Sequence, residues 1–123
     1  MGLFGTDKNI VEGGIDTFLG EQTKFKGELD STGPISVNGE FEGKLNSSGK
    51  IIVGQNGRVT GEVRGREVVV AGKVDGNITA GEILEIAKTG KVYGDLTGGK
   101  IVIEEGAVYR GKVAVSESEQ PAV

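Results

Sequence analysis

The sequence predicts an all-β protein, a right-handed parallel β-helix of about six triangular turns. Three observations carry this prediction. A box of the form Gly-x-Val-x-Gly-x-Val recurs along the chain. Apolar residues fall at every second position around it. Glycine is abundant, 23 of 123 residues, while proline occurs only twice, which suits many tight corners rather than a low-complexity chain. Repetition at a nearly constant period marks a stack of similar units, each too small to bury its own apolar face.

The elements follow in chain order. Residues 1–16 precede the repeat and read as a flexible tail with a small apolar tip, Leu3-Phe4. A partial strand, Thr17-Phe18-Leu19, opens the core. The boxes then read Thr23-x-Phe25-x-Gly27-x-Leu29, Gly39-x-Phe41-x-Gly43-x-Leu45 and Gly57-x-Val59-x-Gly61-x-Val63. They continue as Gly72-x-Val74-x-Gly76-x-Ile78, Gly90-x-Val92-x-Gly94-x-Leu96 and Ala107-x-Tyr109-x-Gly111-x-Val113. The central glycines Gly27, Gly43, Gly61, Gly76, Gly94 and Gly111 are separated by 16, 18, 15, 18 and 17 residues. They are assigned to corners that need positive φ or lack room for Cβ.

Between boxes lie Ile35-x-Val37, Ile51-x-Val53, Val68-x-Val70, Leu84-x-Ile86 and Ile101-x-Ile103. Period-2 alternation of β-branched residues argues strand, and no window carries a sustained helical stripe. Each unit is therefore three short strands joined by corners, and equal residues stack in successive turns. Turn lengths between 15 and 18 fit the looser right-handed form better than the left-handed hexapeptide form, which favours turns of about 18 residues. The core is expected over 17–115, followed by a polar, flexible tail over 116–123.

Composition narrows the function. Histidine, cysteine and tryptophan are absent. That removes the commonest general base, the thiol nucleophile and the usual zinc ligands. A net charge of −4 gives no footprint for nucleic acid. No stretch reaches the roughly 20 apolar residues of a membrane span, and no basic-then-apolar leader is present. The Gly-x-Val-x-Gly boxes are not phosphate loops, because no helix follows them, so no nucleotide and no cofactor is expected. Glu40, Glu42, Asp75, Asp95, Glu104 and Glu105 are scattered, and the corners are too short to build a saccharide-cleaving groove. Met1-Gly2-Leu3-Phe4-Gly5-Thr6 fits the loose myristoylation pattern, but a membrane-seeking apolar tip is the better reading.

The ends of the stack carry the functional expectation. A solenoid usually protects its ends with polar caps, and none is recognisable here. The first turn offers Phe18, Leu19, Phe25 and Leu29; the last offers Ile101, Ile103, Tyr109 and Val113. The aromatic residues Phe18, Phe25, Phe41, Tyr93 and Tyr109 lie toward the two ends. Uncapped ends predict end-to-end association by strand addition, with a second copy of the chain as partner. Periodicity alone leaves open whether the resulting filament has polarity.

Residues Thr23–Leu29, Ile35–Leu45 and Glu105–Gly111 resemble bactofilins, a family of bacterial cytoskeletal proteins, and the resemblance extends over about residues 17 to 115. It implies a right-handed β-helix that polymerises without nucleotide into non-polar filaments. It implies attachment of an N-terminal tail to the cytoplasmic face of the inner membrane, with lipid and membrane or cell-wall proteins as further partners. On this resemblance Tyr109 occupies the aromatic slot of the C-terminal contact, Phe18 and Leu19 lie at the opposite end, and Leu3-Phe4 matches the apolar tip. The strongly basic or proline-rich tails common among relatives are missing.

Two rival readings are weaker. A hexapeptide acyltransferase is also β-helical but relies on histidine. A surface-, ice- or polysaccharide-binding β-helix needs a flat array of Thr or aromatic residues, whereas the outward positions Lys24, Lys26, Glu28, Arg58, Glu62 and Arg64 are mixed and charged.

Overall fold

The computed structural model describes residues 17–115. The expectations for the tails over 1–16 and 116–123, including the Leu3-Phe4 tip, fall outside them. The described residues form strands and corners with no helix. The strands are β1 (Thr17–Leu19), β2 (Lys24–Ser31), β3 (Ile35–Val37), β4 (Glu40–Ser47), β5 (Lys50–Val53), β6 (Arg58–Val70), β7 (Lys73–Ile86), β8 (Lys91–Tyr93), β9 (Leu96–Ile103), β10 (Val108–Arg110) and β11 (Val113–Val115). Every pairing is parallel, between one turn and the next. This is a parallel β-solenoid with three faces.

Register explains why the sequence repeats. On the first face Leu19, Val37, Val53, Val70, Ile86 and Ile103 form one inward column, one residue per turn. On the second face Phe25, Phe41, Val59, Val74, Val92 and Tyr109 form another. On the third Leu29, Leu45, Val63, Ile78, Leu96 and Val113 do the same. The middle members of each column are essentially inaccessible to water. Each such side chain contributes about 1.5–3 kcal/mol of burial free energy, and the columns merge into one core.

The corner between the second and third faces is made by glycine. Gly27, Gly43, Gly61, Gly76, Gly94 and Gly111 all have φ between 130° and 145°. A Cβ at Gly43 would overlap the carbonyl oxygen of Gly27, and the same collision recurs up the stack. Only glycine satisfies both conditions.

The other two corners absorb every variation in turn length. Between the first and second faces the corner holds two residues, as Asn38-Gly39 and Ala71-Gly72, or four, as Gly54–Gly57 and Ala87–Gly90. The four-residue corners close with a bond from the last N–H to the first carbonyl: Thr23 to Gly20, Gly57 to Gly54, Gly90 to Ala87 and Ala107 to Glu104. Between the third and first faces the single residues Arg66 and Gly99 stand in their turns where Gly81-Glu82 stand in the turn between them, which produces the register irregularities at Gly65/Glu67 and Ala80/Ile83. The faces and their columns stay in register while the corners differ.

Candidate functional site, the two open ends of the solenoid

The first turn is built from β1 and β2. Strand β1 pairs only with β3, and β2 only with β4. Their other backbone edge has no partner among the described residues, an arrangement that invites strand addition. Leu19 is buried there, and Phe25 and Leu29 are half-buried against the core. The Phe25 ring stacks on Phe41 with centroids 5.2 Å apart and planes 7° from parallel. One face of Phe25 thus closes its column.

The last turn comprises the end of β9 with β10 and β11. Among the described residues β10 pairs only with β8, and β11 only with β9. Ile101 and Ile103 are half-buried, whereas Tyr109 and Val113 are 41% and 39% exposed although both stand in inward columns, over Val92 and Leu96. Val115, in register with Gly98, is likewise exposed. Among the described residues these side chains have a turn beneath them and none above, and at both ends of the described solenoid the columns of the core are unfinished.

The structure therefore brings Leu19, Phe25 and Leu29 together at one end, and Ile101, Ile103, Tyr109 and Val113 at the other. Phe18 does not join them. It lies in register with Ser36 on the outward side of the first face. Tyr93 also points outward, in register with Asp75, with the Lys73 ammonium 5.6 Å from its ring centre. The aromatic residues near the ends thus divide: Phe25, Phe41 and Tyr109 follow the axis, Phe18 and Tyr93 do not.

The outward positions of the second and third faces carry the expected mixed charge. Opposite signs meet between turns: Lys24 with Glu40 at 3.6 Å, Lys26 with Glu42 at 3.8 Å, Lys44 with Glu28 at 4.0 Å and, at a corner, Arg66 with Glu82 at 3.2 Å. All are well exposed, so each contributes at most a few tenths of a kcal/mol up to about 1. Among the described residues no group of His, Cys, Asp or Glu is arranged to hold a metal ion, and no helix is long and apolar enough to cross a membrane.

Comparison with known proteins follows the same geometry. The family profile described as "Bactofilin: Polymer-forming cytoskeletal" matches residues 17–114. Bactofilin BacP of Myxococcus xanthus is 32% identical over 115 residues, which cover 88% of this chain and 48% of that protein, so the chain spans about half the length of BacP. Bactofilin BacO of the same organism is 28% identical over 105 residues, covering 85% and 83% respectively. A cryo-EM reconstruction of Thermus thermophilus bactofilin double helical filaments superposes with a TM-score of 0.76 at 30% identity, over 81% of this chain and 99% of the other. The profile spans all but the last residue of the described solenoid, and on that match the chain belongs to the bactofilin family of polymer-forming cytoskeletal proteins.

Proposed function

We propose that this chain is a non-catalytic structural protein that self-assembles end to end, without nucleotide or metal, into filaments. The observation that carries the reading is the unfinished core at both ends. A subunit placed on either end continues the apolar columns and pairs the open backbone edge. Burial of the apolar side chains that each end leaves uncovered, with strand addition around them, supplies the driving force. Like ends face one another in two alternating two-fold contacts, so the filament has no polarity; the family resemblance supports this choice. Two such strands wind together, as the Thermus relative does. The N-terminal segment anchors the polymer to the cytoplasmic face of the inner membrane, each Leu3-Phe4 tip binding weakly and many tips binding by avidity.

Electron microscopy of the purified chain, with no nucleotide or metal added, tests the reading beside Tyr109→Arg. The substitution puts a charge into the apolar C-terminal contact. The expected outcome is filaments from the parent and short soluble species from the variant, whose far-ultraviolet circular dichroism stays that of the parent. A parent that remains monodisperse overturns end-to-end assembly. Long filaments from the variant move the contact away from Tyr109.

A further inference from the structure

One of the three faces breaks the rule that outward residues are polar. On the second face the outward columns read Lys24, Glu40, Arg58, Lys73, Lys91 and Lys26, Glu42, Thr60, Asp75, Tyr93. On the third they begin Glu28, Lys44, Glu62, Asn77 and Asp30, Asn46, Arg64, Thr79. On the first face one outward column runs Phe18, Ser36, Ile52, Val69, Glu85, Val102. Ile83 stands beside it in the turn where Glu85 interrupts the column.

Phe18 is 64% exposed, Val102 38% and Ile83 36%, and Ile52 and Val69 are partly exposed between them. In sequence this stripe appears as three consecutive apolar residues, Ile51-Ile52-Val53, Val68-Val69-Val70 and Ile101-Val102-Ile103, where strict alternation would place a polar residue in the middle. A strand that is apolar on both sides has something to cover on both sides.

We infer that the first face is the lateral contact through which a second copy of this chain, in the opposing strand of the filament, is held. The inference rests on the end-to-end reading above. The stripe runs parallel to the stacking axis through the turns of the solenoid. With the two-fold of the end contact passing through this face, end-to-end assembly makes the stripe continuous from subunit to subunit, and two strands present matching stripes along their whole length. The charges on the same face are two lysines, Lys50 and Lys100, and two glutamates, Glu67 and Glu85. That set is neutral and self-complementary, so two copies related by a two-fold axis set lysine against glutamate around an apolar centre. An anionic lipid surface selects a net basic face, which this is not. Two sheets meeting through such faces pack about 10 Å apart, as in a sandwich.

The test is mass per unit length and strand number of filaments by electron microscopy, for the parent, Val69→Lys, Ile52→Lys and Thr60→Lys. Thr60 is outward at comparable height on the charged second face and serves as the control. Circular dichroism and thermal melting confirm that each variant folds. The expected outcome is paired strands for the parent and Thr60→Lys. Val69→Lys and Ile52→Lys give single strands that still elongate, with mass per length down about twofold from loss of the isologous partner.

Paired strands in folded Val69→Lys and Ile52→Lys overturn the inference. So does a parent that forms only single strands. Retained pairing with loss of co-sedimentation on anionic vesicles also overturns it and assigns the face to lipid. A parent that forms no filaments overturns the end-to-end reading, and this contact with it.

Discussion

At Gly61 the backbone holds φ at 130°, and a Cβ would overlap the carbonyl oxygen of Gly43 one turn below. Either condition alone costs about 1–3 kcal/mol, and neither relaxes without parting two turns that are hydrogen-bonded along their length. In the Tyr109→Arg background, where the proposed contact would be blocked, Gly61→Ala is expected to destabilise by about 3 kcal/mol or more. That lowers the melting temperature by more than about 10 °C. Gly81→Ala is the control, since a Cβ there meets nothing closer than 3.8 Å and no positive φ is required. It should stay within about 0.5 kcal/mol. A similar loss at both positions would show that glycine content, not corner geometry, sets stability. The corner glycines were readable from their spacing because one physical demand recurs in every turn. Phe18 was not. Thr17-Phe18-Leu19 is too short to fix the phase of its alternation, and it is pairing with Ile35-Ser36-Val37 that sends Phe18 outward.

Among the elements, the three corners differ in tolerance. The glycine corner has one length throughout, so its neighbours on both faces keep their register. The corner after the first face already occurs with two residues and with four. Two residues inserted between Ala71 and Gly72 convert one natural form into the other and should cost less than about 1 kcal/mol, since loop closure grows slowly with length. One residue inserted after Gly61 shifts every following side chain of the third-face segment to the wrong side and should prevent cooperative folding. Thermal melting of the two insertions, again in the Tyr109→Arg background, checks the contrast; equal losses would refute the assignment of slack to the first corner. The number of turns, the inward columns and the strand type were legible because a stack repeats its constraints. The apolar runs Ile51–Val53 and Val68–Val70 were equally plain, but alternation explains only their first and third members. The middle residue acquires meaning once a face of the solenoid is seen to lie outside it.

For the molecule as a whole, the proposed end contact makes assembly an extension of folding: the apolar core would continue across the boundary between subunits, with strands of like ends meeting antiparallel across the two-fold. Apolar burial strengthens on warming near room temperature, and screening relieves repulsion between chains of net charge −4. Sedimentation should therefore show the critical concentration falling between about 5 and about 25 °C, and not rising in about 1 M NaCl. Disassembly by salt would mean that ion pairs, not the core columns, hold the contact. The inter-turn hydrogen bonds have a mechanical consequence as well. In a parallel solenoid they lie along the long axis, so a tensile load is carried by all the bonds of one layer together rather than by bonds breaking one after another. The polypeptide crosses each layer only once. A stretched rod of this design stays stiff at small strain and then yields abruptly at a single layer: inside a subunit the covalent crossing still tethers the two parts, whereas at a boundary between subunits nothing does.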